Sequence, residues 1–174
     1  ADEQGVPPYV IFNDRTLNQM TEDLPLHEEA FLAISGVGQR KLADYGSNFM
    51  LAIADYLVNH NDNDDYKSEG RKISYAYYLK HFTVDEIAHA RDLNENAVYG
   101  HFAALYLKGY PLDLFRMIQQ EELESIVPVI QELGHDAALS AIYTALDKAY
   151  SLGKIRLALA WLLKKENRPY HILK

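Results

Sequence analysis

The chain has no cysteine in 174 residues. Disulfides and thiolate metal sites are therefore excluded, and nothing in it requires an oxidising compartment. Long apolar runs are also missing. The longest, Leu157 to Leu163, falls far short of the roughly 20 residues a spanning helix needs. The opening Ala1-Asp2-Glu3-Gln4-Gly5 is polar and acidic, unlike a signal peptide, and its lack of Met suggests a cut or processed chain. A cytoplasmic location is the expectation. Basic charge is scarce as well, with 17 Lys and Arg against 25 Asp and Glu, a net charge of −8. That argues against strong non-specific nucleic-acid binding, which needs cations in excess to neutralise phosphates. Residues 1–58 are the most acidic part, with Arg15, Arg40 and Lys41 set against nine acids. Any nucleic-acid contact has to use a local patch and is expected to be weak.

The chain does have the means to fold. Apolar residues make up 48% and charged residues 24%, values of a globular protein. A polar run, Asn59-His60-Asn61-Asp62-Asn63-Asp64-Asp65 continued by Tyr66 to Lys72, cannot pack a core and reads as a linker over 59–73. It divides a segment 1–58 from a segment 74–174, both with helical periodicity. In the first, Asn13-Asp14 can cap a helix over 15–23, and Pro25 ends it. Short helices follow over 26–34 and 39–45, separated by the turn Ser35-Gly36-Val37-Gly38. A bend at Gly46-Ser47 precedes a helix over 48–58 with Phe49, Ile53, Tyr56 and Leu57 inward. In the second, helices are predicted over 73–81, from the capping box Thr83-Val84-Asp85-Glu86 to Ala90, and from Asn94 to Lys108, stopped at Gly109. Others cover 114–121, 123–133 (kinked or split at Pro128), 137–150 and 154–165. Almost nothing reads as strand. The fold class is all-α, with two small helical domains.

Two strings in the first segment are distinctive: Val6-Pro7-Pro8-Tyr9-Val10-Ile11-Phe12-Asn13-Asp14-Arg15-Thr16-Leu17, and Ile34-Ser35-Gly36-Val37-Gly38-Gln39-Arg40-Lys41-Leu42 followed by Tyr45-Gly46. In order and at this spacing they closely resemble the HRDC domain of RecQ helicases and ribonuclease D. The first helix of that family would precede Val6, and it is largely missing here. The physics of the glycine turn is independent of the resemblance. Gly36 and Gly38 permit backbone angles closed to other residues. A glycine turn before a helix presents N–H groups that can hold a phosphate, with Arg40 and Lys41 adding charge. The alternative is a tight helix–helix turn with Val37 in the core, and Asp44 nearby repels phosphate. Tyr9 also has two readings. The resemblance implies a role in single-strand binding, where stacking on an exposed ring holds a base. Alternatively the ring packs and braces the Pro-Pro turn.

In the second segment, Ile87 and Ala88, then Leu93, then Val98, Phe102 and Leu105 have the spacing of a helix-turn-helix, with Leu93 plugging the angle. The outward positions of the second helix are read as Glu95, Asn96, Tyr99, Gly100 and Ala103. Residues 74–165, with the tail Tyr150-Ser151-Leu152-Gly153-Lys154-Ile155-Arg156-Leu157-Ala158-Leu159-Ala160, resemble the helix-turn-helix domain at the C-terminus of many bacterial RecQ proteins. A base reader needs Arg, Asn, Gln or Lys pointing out. Only Asn96 qualifies, with Tyr99 a phosphate or stacking contact, so sequence-specific recognition is not expected.

Some features are decoys. Asp85-Glu86-Ile87-Ala88-His89 resembles a helicase DExH box but lies on a capped helix, and no G-x-x-x-x-G-K-[S/T] phosphate loop occurs in the sequence. His89 with Asp85 or Glu86 is a helix surface rather than a metal site, and no metal is expected. Tyr75, Tyr77 and Tyr78 form a packed face or a stacking platform. No catalytic constellation is legible. The resemblance implies an auxiliary DNA-binding region of an ATP-dependent, 3′-to-5′ DNA helicase acting in recombination and repair, associated with the bacterial nucleoid. ATP and Mg would belong to a motor domain upstream, and these residues need no cofactor. DNA, single-stranded or branched, is the expected partner. The rival reading is a protein-interaction module, whose acidic surface folds back on the helicase core or recruits another protein.

Overall fold

The computed structural model describes residues 11–60 and 70–168. The chain divides into two compact units, Ala1–Asn63 and Asp64–Lys174. Both are helical, and the described residues contain no strand.

The first unit opens with α1, Asp14–Asp23. Asn13 caps it, its side chain accepting the Thr16 N–H at 2.9 Å. Helix α2 is Glu28–Leu32. Helix α3, Gln39–Lys41, runs through a π-helical turn, Leu42–Gly46, directly into α4, Ser47–Asn59. Gly46 and Ser47 thus lie within helical backbone rather than at a free bend. Close packing fits glycine at position 46: a β-carbon there would stand 2.6 Å from the Leu42 side chain. Phe12, Met20, Phe31 and Ile34 form the core. Phe12 makes edge contacts with Phe31, Tyr45 and Phe49, the last with ring centres 5.0 Å apart. Tyr56, read as inward, is 42% exposed, and Ala54 with Leu57 takes the buried face of α4.

The second unit is built around one central helix. Helix α5, Gly70–Leu79, starts inside the stretch read as linker. Its first carbonyl, on Gly70, accepts from Arg91 Nη1 at 2.6 Å, a partner the local composition does not reveal. Tyr75, Tyr77 and Tyr78 on it are all buried, which makes them a packed face. Helix α6, Val84–Ala90, has both halves of the Thr83–Glu86 capping box. Helix α7, Glu95–Leu107, is capped by Asn94 and closed by Gly109 at φ +90°. A 3₁₀ turn, Leu114–Arg116, replaces the expected helix over 114–121, because Gln119 and Glu122 form a capping box that starts α8, Gln120–Leu133. Pro128 lies within α8 without splitting it, on the exposed side where the freed carbonyl meets water. Helix α9 is only Leu139–Ala145, since Asp147 and Lys148 take φ of 50° and 63°. Helix α10 is Leu152–Lys165. Helix α7 packs most extensively on α10 and also on α5 and α6, while α8 and α9 close over α10.

Candidate nucleic-acid interface

In the first unit the glycine turn is a packing device. Gly36 has φ +85°, and a β-carbon there would stand 2.7 Å from Thr16 Oγ1. Thr16 is buried and donates to the Ser35 carbonyl at 2.8 Å. Gly38, by contrast, has φ −118° and ψ 177°, extended backbone open to any residue, with nothing within 4 Å of an added β-carbon. The special-angle reading thus holds for Gly36 and not for Gly38. Lys41 Nζ donates to the Gly36 carbonyl at 3.0 Å and lies 5.0 Å from the centre of the Phe12 ring. Arg40 points elsewhere, its side chain 95% exposed and 3.8 Å from Asp44. An exposed pair of this kind contributes little and leaves the guanidinium available. Gly36 and Lys41 are therefore brought together, and Arg40 stands apart. Tyr9 lies outside the described residues.

In the second unit the helix-turn-helix geometry is present and its outward face differs from expectation. Asp92 takes φ +50° in the turn, and the Leu93 N–H bonds the Ala88 carbonyl at 2.9 Å. Ile87, Ala88, Val98, Phe102 and Leu105 are buried. Tyr99 and Ala103, read as outward, are buried too, at 5% and 0%. The Tyr99 hydroxyl donates to the Met117 carbonyl at 3.4 Å, so the ring is a core element and cannot stack on a base. Asn96 is exposed, as read, with its Oδ1 accepting the Gly153 N–H at 2.7 Å. Tyr99 is covered by α10, whose Gly153 packs directly against it.

Beyond exposed Glu95 and Asn96, α7 borders a cleft of about 250 Å³ lined by Arg71, Ala97, Gly100, His101, Ala103, Ala104 and Arg156. Arg156 reaches it from α10, and a β-carbon on Gly100 would lie 2.8 Å from its Nη1. Arg71 comes from the first turn of α5. No carboxylate pairs with either arginine among the described residues. Behind the cleft, buried Ser74 Oγ lies 2.8 Å from His101 Nδ1, and Arg91 Nη1 donates to Ser74 Oγ at 2.5 Å. Because Ser74 accepts from Arg91, its own hydroxyl hydrogen is free for Nδ1. Arg91 Nη1, a donor only, also lies 3.5 Å from Nδ1. This assigns the His101 proton to Nε2. Burial first, then the charges of Arg91 and Arg71, push the His101 pKa down to about 4.

Sequence reasoning missed Arg71, His101 and Arg156. One signal was available, since Arg156 stands alone between Ile155 and Leu157 in an otherwise apolar stretch.

The sign of the His101 shift sets a pH dependence. The unfolded ring binds a proton near pH 6.5, whereas the folded one resists until about 4. Stability present above pH 6.5 is therefore lost as pH falls through that window. The half-exposed ring is partly screened, so a loss of about 1–2 kcal/mol is expected, less than the full linkage. Urea denaturation of wild type and His101→Gln from pH 7 to 4 checks it: the two stability curves should converge on acidification, and parallel curves would contradict the assignment.

Comparison with known proteins agrees with this geometry. The family described as a helix-turn-helix domain matches residues 71–159, just over half of the chain. The chain belongs to the helix-turn-helix domain family. Ahead of this helix-turn-helix domain, the HRDC domain family matches residues 1–53. HRDC followed by helix-turn-helix is the RecQ C-terminal arrangement. The chain is 46% identical over 56 residues to the ATP-dependent DNA helicase RecQ of Bacillus subtilis, covering 32% of this chain and 10% of that protein. It is 40% identical over 67 residues to RecQ of Haemophilus influenzae, covering 37% and 11%. It is 50% identical over 50 residues to the ATP-dependent DNA helicase UvrD2 of Mycobacterium tuberculosis, covering 29% and 7%. The chain thus spans about a tenth of the length of the curated relatives it matches. No solved structure matches it significantly. Among the described residues, no helix is long and apolar enough to cross a membrane, and no group of three His, Asp or Glu is placed to hold a metal ion.

Proposed function

We propose that this HRDC and helix-turn-helix region is an auxiliary DNA-binding element of a RecQ-type ATP-dependent DNA helicase, holding single-stranded or branched DNA weakly and without sequence preference. ATP and Mg would act in the motor of that helicase, in recombination and repair at the nucleoid. The observation that carries the reading is the pairing of the two family matches in RecQ order, as in relatives named DNA helicases. The absence of preference follows from α7. A major groove about 12 Å wide is read by side chains that project from a helix. Helix α7 exposes only Glu95, which repels phosphate, and Asn96, whose Oδ1 is held by the Gly153 N–H. Beside them Ala97, Gly100, His101 and Ala104 are half-buried. Affinity then comes from phosphate contacts, and it falls steeply with salt.

Anisotropy of a labelled thymidine oligonucleotide tests the proposal. The 174-residue chain should bind at low salt and release as salt rises. Arg40→Ala should reduce the salt slope by about 0.7, the share of one single-strand phosphate contact. Tyr9→Ala and Lys41→Ala examine the other candidates, with Lys41 also expected to cost stability through its bond to Gly36. If the wild type does not bind at low salt, the DNA reading fails. Docking on protein then becomes the better account. One observation favours that second reading: a groove of about 750 Å³ between α8 and α10, with half-exposed Trp161 and exposed Phe115 in its wall.

A further inference from the structure

We infer that the cleft on α7 is a binding site for a nucleic-acid phosphodiester, held between the guanidinium groups of Arg71 and Arg156 over a floor of Ala97, Gly100 and Ala104. The inference rests on the DNA-binding reading above and deepens it by naming the atoms that take the backbone.

The argument starts from charge. In a chain of net charge −8, two arginines border one small cleft, and its lining includes no acid. Neither arginine is neutralised by a carboxylate among the described residues. Arg156 is half-buried in an apolar helix, where a cation is retained at a cost unless it has a partner to meet. A guanidinium is a planar fork of N–H donors whose geometry matches two phosphate oxygens.

The floor fits the same ligand. Ala97, Gly100 and Ala104 are spaced i, i+3 and i+7, so they fall on one side of α7. With side chains this small, a sugar–phosphate strand can lie close against the helix while the arginines close on its oxygens. Gly100 is what lets Arg156 fold over the helix, given the 2.8 Å separation from an added β-carbon. His101 completes the ring of donors. The Arg91–Ser74 pair engages Nδ1 and leaves the Nε2 hydrogen as a neutral donor, with no partner among the described residues. Nothing in this arrangement distinguishes one base from another, in keeping with a helix that reads no sequence.

The test uses the 174-residue chain with a labelled thymidine oligonucleotide, and NMR titration with the dinucleotide dTpdT, inorganic phosphate and a glutamate-rich peptide. Arg71→Ala and Arg156→Ala should each weaken the oligonucleotide about five- to tenfold at low salt and flatten the salt slope by about 0.7. Gly100→Ala keeps every charge and improves helix propensity, so it should fold at least as well as wild type. It should still bind about threefold or more weakly, because its methyl displaces Arg156. The dinucleotide should shift the amides of Ala97, Gly100, His101 and Ala104. If the wild type binds DNA and loses affinity in Arg40→Ala while the three cleft variants bind as wild type does, the cleft is excluded and the DNA reading survives. If the wild type binds no DNA, both fall together. Inorganic phosphate or the acidic peptide binding as tightly as the oligonucleotide would overturn the assignment to nucleic acid.

Discussion

Gly153→Ala is expected to destabilise the helix-turn-helix unit by about 1–3 kcal/mol, lowering its melting temperature by about 5–15 °C. Gly153 is where α10 crosses α7. An added β-carbon would lie 2.7 Å from Tyr99 Cβ, 2.7 Å from Tyr99 Cδ2 and 2.8 Å from Asn96 Oδ1. Tyr99 Cβ is fixed to the α7 backbone, so no rotamer change relieves the clash, and the helices have to separate. Separation also lengthens the 2.7 Å bond from the Gly153 N–H to Asn96. Overpacking of this kind costs about 1–3 kcal/mol and the lost bond about 1 more, against roughly 1 regained from alanine's better helix propensity. Thermal unfolding followed by circular dichroism measures the balance. A variant as stable as wild type would show that α7 and α10 do not approach this closely, and the burial of Tyr99 would lose its explanation.

That crossing also marks the limit of what was legible in the chain alone. Helix starts written locally were readable: Asn13, the Thr83–Glu86 box and Asn94 all cap as their residue types suggest. Chain punctuation was readable too, with Gly109 closing α7 at positive φ. The faces of α7 were not. Ala97, Val98, Tyr99, Phe102, Ala104, Leu105 and Leu107 together ring it with apolar side chains, so periodicity gives no direction to the outside. Only the position of α10, 57 residues further on at the Asn96–Gly153 contact, decides which side is covered. The start of α5 was hidden for a related reason. Gly70, Arg71 and Lys72 are polar, and the bond that supports them comes from Arg91, 21 residues away. The arginine cleft combines both difficulties, since Arg71, His101 and Arg156 lie on three helices.

The glycine turn of the HRDC unit admits a sharper trial, because its two glycines should respond differently to one methyl group. Gly36→Ala is expected to cost about 2–4 kcal/mol. Holding a β-carbon at φ +85° costs about 1–2 kcal/mol. The methyl also meets Thr16 Oγ1 at 2.7 Å, and displacing that hydroxyl breaks its bonds to the Ser35 carbonyl and Asn13 Oδ1 in a buried position. Gly38→Ala should change stability by no more than about 0.5 kcal/mol: its angles suit alanine and its surroundings are open, so the entropy removed from the unfolded chain offsets a slightly poorer cap. Urea unfolding of both variants reads these costs, and oligonucleotide binding read beside it separates packing from phosphate capture. If the turn serves only to join helices, Gly38→Ala keeps wild-type affinity and Gly36→Ala loses affinity only in proportion to the unfolded fraction. A Gly36→Ala protein that stays folded and releases DNA would return the turn's N–H groups to the phosphate role, and the packing account of Gly36 would be the one to fall.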